Sequence, residues 1–218
     1  MTELRHVARA FDFDPPTVAG LRAPFKGRLV VLEPLAADHE AGLFDAARDG
    51  TGLFEWLPAD GAASPEHLRS WLAESIEEDR RGEQVAFAII AAASGKPLGS
   101  TRFQEIRLEH RRVEIGWTWL AKRAWGTGVN VETKLLLLTQ AFEVVGCRRV
   151  EFKTDARNER SRGALEALGA TFEGILRKHM VVRDGAARDS AYYSIIDSEW
   201  PSVKARLEQR LAAHSTAA

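Results

Sequence analysis

The chain has little of several things, and each shortage removes a class of protein. Cys147 is its only cysteine in 218 residues. No intrachain disulfide can brace the fold, and a reducing compartment, the cytoplasm, is expected. Neither sign of charge dominates: 30 Lys and Arg face 31 Asp and Glu, a formal net charge of −1. General attraction to nucleic acid or to a membrane surface is therefore not expected, although a local basic patch remains open. No apolar run reaches the length of a membrane span. Met1 to Ala10 lack the apolar stretch of a signal or an anchor. His39, His67, His110 and His179 show no metal-ligand spacing, so no metal is expected. Repeats and low-complexity segments are missing too. What remains is 45% apolar and 28% charged residues, ordinary for one globular domain with a sizeable core.

Residues 1–27 are polar and broken by Pro15, Pro16, Gly20, Pro24 and Gly27. They read as an N-terminal arm without its own core, ahead of a single domain over 28–218. Arg28 to Leu35 reads as a strand ended by Pro34. Asp38 is a candidate N-cap for a helix to Arg48, and Ser64-Pro65-Glu66 opens a second helix to about Arg81. Three strands follow: Val85 to Ala92, Leu98 to Ile106 and Arg112 to Leu120. Val131, Leu135, Leu138, Phe142 and Val145 then recur at helical spacing up to Gly146. Arg149 to Asp155 is a further strand, and Asn158 opens a short helix that stops at Gly169. Phe172 to Val182 and Arg188 to Ile196 form a closing antiparallel pair around Arg183-Asp184-Gly185, and Ser202 to Ala213 a last helix. This order predicts an α/β fold, a mixed sheet with helices on both faces and a right-handed parallel crossover from Val113 to Asp155.

The densest motif is Arg123-Ala124-Trp125-Gly126-Thr127-Gly128-Val129-Asn130, between a strand and a helix. Such a loop presents unpaired backbone N–H groups to an anion, and glycine lets a phosphate come close. A dinucleotide fingerprint would need glycine where Val131 stands, and a P-loop would need Gly-Lys-Ser/Thr where Gly128-Val129-Asn130 stands. Neither fits. The spacing Arg-x-x-Gly-x-Gly, filled by Arg123, Gly126 and Gly128, fits another kind of pyrophosphate site. Lys122, Arg123, Arg157, Arg160 and Arg162 fall on the two flanking loops, and Lys134 lies near the helix N-terminus, where an anion would offset its charge.

With Val113-Glu114-Ile115-Gly116-Trp117-Thr118-Trp119-Leu120, Asn158-Glu159-Arg160-Ser161 and Leu165 to Ala170 in the same order, the chain resembles the GNAT superfamily of N-acetyltransferases. The subgroup it looks like is the RimJ/RimL type, which acts on ribosomal proteins. The resemblance covers about Gly27 to Trp200. It implies a mostly antiparallel sheet of about seven strands with a central, splayed parallel pair. It implies acetyl-CoA as cosubstrate, its pyrophosphate on the backbone of Gly126, Thr127, Gly128, Val129 and Asn130 beside Arg123. The pantetheine arm would then run along Trp119 and Leu120 to Asn158 and Ser161.

The resemblance makes Glu114 the general base and Ser161 the acid for the leaving thiolate. No tyrosine stands in Arg160 to Gly169 to take the latter role. Glu114 also has a plainer reading, an ion pair with Arg102 or Arg112, and Asn158 serves equally as a helix N-cap. Oxyanion support is expected from a backbone N–H at Trp119 to Ala121. Phe54 and Trp56 are the expected acceptor contacts, with core packing as their alternative. Trp117 and Trp119 are expected under the sheet, and Cys147 as a packed small residue. The acceptor class is a primary amine, on a protein N-terminus or a small molecule. Another acyl donor such as succinyl-CoA and a non-catalytic acyl-CoA-binding module stay open as alternatives, although the latter would be expected to lose Glu114 or Ser161. The arm could cover the site or pack on a second subunit, so a homodimer is one assembly the sequence allows.

Overall fold

The computed structural model describes residues 17–22, 24–50, 52–57, 64–182 and 185–216. Eight strands form one sheet: β1 (Phe25–Lys26), β2 (Val30–Pro34), β3 (Val85–Ala91), β4 (Pro97–Arg107), β5 (Arg112–Leu120), β6 (Arg149–Asp155), β7 (Thr171–Val181) and β8 (Ala187–Ile196). Their spatial order is β1-β2-β3-β4-β5-β6-β8-β7, all antiparallel except β5 with β6. Among the described residues five α-helices accompany the sheet: α1 (Glu40–Ala47), α2 (Pro65–Arg80), α3 (Val129–Thr139), α4 (Glu159–Leu168) and α5 (Trp200–Thr216). Two features extend the sequence expectation. Phe25 and Lys26 add an eighth, two-residue strand, and β8 lies between β6 and β7. The turn at 183–184 lies outside the described residues.

Local rules account for most of the elements. The Ser64 hydroxyl accepts the His67 N–H at 3.2 Å with Pro65 at the first helical position, so α2 starts as its sequence dictates. The helix after the glycine loop does not run evenly: its last turn, Gln140–Val144, widens to π spacing before Gly146 takes φ 73° and ends it.

Two apolar clusters lie on opposite faces of the sheet. The larger packs α3 and α5 on Phe87, Phe103, Phe152 and Ile195, and it includes Leu21 and Phe25 from the arm. The smaller packs α1 and α2 on Ala86, Ala88 and Trp119. Glu132, in the first turn of α3, is buried and accepts the N–H groups of Arg28 (2.9 Å), Leu29 (2.6 Å) and Val30 (2.8 Å). A carboxylate bonded three times by backbone is well satisfied, and it ties the β1–β2 turn to the helix that follows the glycine loop. A Cβ on Gly27 would run into the Glu132 carboxylate, so a larger residue there pushes that side chain off its three N–H donors. Among the described residues no helix is long and apolar enough to cross a membrane.

Candidate active site

β5 and β6 pair only at Arg112–Arg149, Val113–Val150 and Glu114–Glu151. Past Glu114 the two strands part, and the backbone edge of β5 faces an opening instead of a neighbour. β5 also breaks register with β4: Gly116 pairs with Arg102 and Trp119 with Ser100, leaving Trp117 and Thr118 out of the ladder. Trp117 sits at the break with φ 49°, a left-handed conformation that costs a large side chain about 1 kcal/mol or more. A cavity of about 790 Å³ fills the opening. Its walls include Glu114, Trp117, Leu120, Asn158, Ser161 and the glycine loop.

Gly126 and Gly128 take φ of 74° and 87°, which L side chains rarely adopt, and a Cβ on Gly128 would crowd Leu29 and His214. Gly128 is the N-cap of α3 and supplies no side-chain cap. The first helical bond runs from Glu132 N to Gly128 O, 2.9 Å. The N–H groups of Val129, Asn130 and Val131 therefore have no acceptor within the helix, the condition for an anion site. Thr127 donates to Ala124 O at 2.7 Å, which closes the loop on itself. Across the opening, the Asn158 Oδ1 accepts Ser161 N–H at 3.0 Å, capping α4 and setting Ser161 in the cavity wall.

Glu114 is 1% exposed at the fork of the two strands. Its Oε1 accepts from Gln104 Nε2 at 2.6 Å, and its Oε2 lies 3.3 Å from Lys153 Nζ. Loss of water around the carboxylate raises its pKa above the usual value; Lys153 and Gln104 oppose the rise without cancelling it. The expected partners are engaged elsewhere: Arg102 donates to Gln84 at 2.6 Å and Arg112 to Glu151 at 2.7 Å. The parallel register explains the exchange, since Lys153 stands two residues beyond Glu151 on the same face.

Several other expected residues have different surroundings. The Arg123 guanidinium is 3.4 Å from Asp49, and its side chain is not in the cavity wall. Arg162 donates to the Tyr193 hydroxyl at 3.1 Å, again outside the wall. Lys134 lines the cavity beside β5: its Nζ donates to Thr118 Oγ1 at 2.6 Å, and both residues are in the wall. Full burial lowers its pKa to about 7. Arg160 does reach the cavity, stacked 3.9 Å from the Trp125 ring. Ala121 N–H bonds Leu98 O at 2.7 Å and is not free for an oxyanion. Phe54 packs at 5.0 Å on Trp119 in the smaller cluster, so of the two acceptor candidates only Trp56 lines the cavity. Trp117, expected under the sheet, packs against the smaller cluster and lines the cavity as well. Burial pushes the Cys147 thiol up to about 11, which leaves it unreactive.

Sequence reasoning missed Gln104, Lys153, Arg188, Arg210 and His214, all in the same wall. Strand alternation could have found Lys153. Nothing short of the strand order and the docking of α5 would have found the other four.

A splayed strand pair, a glycine loop with free helix N–H groups and a buried carboxylate at the fork define an acyl-transferring α/β enzyme. Residues 29–171 match the family described as the acetyltransferase (GNAT) domain, and the chain belongs to that family. The Bacillus subtilis protein YdaF, named as a candidate ribosomal N-acetyltransferase, is 30% identical over 80% of this chain and 93% of its own. A crystal structure of a GCN5-related N-acetyltransferase from Brucella melitensis has a TM-score of 0.84 and 34% identity, covering 91% of this chain and 89% of that one. Mycobacterium smegmatis RimJ, solved in complex with CoA-disulfide, has a TM-score of 0.70 and 26% identity over 83% and 88%.

Proposed function

We propose that the protein transfers the acetyl group of acetyl-CoA directly to a primary amine, on a small molecule or on a protein N-terminus such as that of a ribosomal protein. The observation that carries this reading is the single opening that holds, along one wall, the free N–H groups of α3, the unpaired edge of β5 and Glu114 at its inner end. The RimJ relative solved with CoA-disulfide supports the ligand class.

The pyrophosphate fits on the N–H groups of Val129, Asn130 and Val131, with Arg160 of α4 and Arg210 and His214 of α5 in the same wall. The pantetheine arm extends the sheet along the free edge of β5, as a strand would. Its thioester then lies between Glu114 and Ser161. Only a neutral amine attacks, and a carboxylate with a raised pKa accepts its proton, directly or through one water. A backbone N–H of the break at Trp117–Thr118 steadies the oxyanion. Ser161 Oγ gives a proton to the departing thiolate and takes one back from solvent.

The test is thiol release from acetyl-CoA against a panel of free amino acids, diamines and short peptides. Release that depends on an amine and forms its N-acetyl product supports the reading. Tight CoA binding with no acceptor-dependent release points to a binding module instead.

A further inference from the structure

Arg188 stands at the start of β8, opposite Met180 of β7 and in the wall of the same cavity. It is 5% exposed, and its Nε has no hydrogen-bond partner among the described residues. Two carboxylates are near enough to act on its charge, Asp155 and Glu114. Both are occupied. Asp155 Oδ1 accepts from Arg157 N (2.9 Å) and Nε (3.0 Å), and Oδ2 from Arg157 Nη2 (2.9 Å). Glu114 is held by Gln104 and Lys153. The carboxylates in and beside this wall therefore pair as Glu114 with Lys153, Asp155 with Arg157 and Glu105 with Arg107, and none of them hydrogen-bonds Arg188.

A guanidinium cannot shed its proton to escape burial, and here the cost of burial outweighs the pull of Asp155 and Glu114 on its charge. Its planar fork matches a carboxylate through two parallel hydrogen bonds. One surplus positive charge is balanced by a singly charged carboxylate; a phosphate dianion would leave the corner net negative. The acyl-CoA phosphates have a separate seat at the glycine loop. The structure assigns Arg188 as the group that receives a carboxylate carried into the reaction cavity by one of the two substrates, either the acceptor amine or the acyl chain.

This inference deepens the acetyltransferase reading, and the experiment separates the two. With acetyl-CoA, kcat/KM is compared for a free amino acid and its amide. With the amide as acceptor, acetyl-CoA is then compared with succinyl-CoA. In the wild type one of these pairs is expected to favour its carboxylate member by about tenfold or more, the value of a charged hydrogen-bonded pair. A preference in the first pair places the carboxylate on the acceptor; in the second, on the acyl chain. Arg188→Gln is expected to collapse that ratio and Arg188→Lys to keep part of it. No preference in the wild type, or a ratio that Arg188→Gln leaves unchanged, overturns the assignment. Because no carboxylate hydrogen-bonds Arg188 and burial outweighs its attractions, Arg188→Gln should leave the thermal midpoint level or raise it, and a fall of more than about 5 °C would mark a structural ion pair instead. Calorimetric titration of the CoA-saturated protein with N-acetylglycine and with succinate decides the matter without turnover. Weaker binding by Arg188→Gln supports the assignment even if no amine is acetylated, and equal binding defeats it.

Discussion

Glu114 and Lys134 carry the two buried charges whose titration can be read from outside. Glu114→Gln keeps the Gln104 contact region and the volume but removes the proton acceptor. Steady-state kinetics should show kcat reduced by about 10²- to 10⁴-fold, with acyl-CoA affinity by calorimetry nearly unchanged. Wild-type turnover would leave Glu114 as a structural partner of Lys153. Because burial raises the Glu114 pKa, the acid limb of kcat/KM should fall off above the ordinary carboxylate range and vanish in the glutamine variant. For Lys134 the sign runs the other way. Its native pKa of about 7 lies below that of an unfolded lysine, so between those two values the unfolded chain holds more protons and stability rises with pH. Lys134→Met should therefore gain more stability relative to wild type at about pH 6 than at about pH 9.5, by on the order of 3 kcal/mol in urea unfolding. An equal effect at both would mean the amine stays charged.

At the scale of elements, the helix starts, the strand runs and the glycine loop could be read from sequence because each obeys a local rule. Ser64-Pro65, Asn158 and Gly169 mark helix ends by chemistry confined to four or five residues, and α4 ends at Gly169 with φ 102°. The candidate site was legible where it sits on such motifs: the glycine loop, Glu114, Asn158 and Ser161. It was not legible where long-range packing decides. Arg123 looked free to meet an anion, but Asp49 stands beside it from the turn after α1. Lys134 looked like a loop cation, but helical geometry turns it to Thr118. Arg188 enters the cavity only because β8 inserts between β6 and β7. The link between elements that can be tested most directly is Glu132. Glu132→Ala strands three backbone N–H groups, and Gly27→Ala forces a methyl into the same carboxylate. Each should cost about 2–4 kcal/mol in denaturant unfolding, and both should lower CoA affinity through the start of α3. Stability within a few tenths of wild type would show that the β1–β2 turn does not hold the helix.

Across the whole molecule, the sheet is two blocks, β1–β5 and β6–β8–β7, joined along the parallel seam by three residue pairs. The larger apolar cluster, with α3 and α5, spans both blocks, while the smaller, with α1 and α2, lies on the β1–β5 block. CoA bound in the opening should raise the thermal midpoint with concentration, by about 2.7 kcal/mol of added stability at a hundred times Kd. Hydrogen exchange should slow first at Ile115 to Leu120, where the edge of β5 is bare. Protection elsewhere with none on β5 would place the ligand on another surface.

The three-pair seam between β5 and β6 also sets how this protein should respond to force. Pulled between a point on β4 and a point on β8, the sheet would bear load across the seam, where only three residue pairs join the two blocks. A cosubstrate lying along the free edge of β5 would act there as a splint. Its occupancy would then be readable as a change in rupture force, with no chemistry taking place.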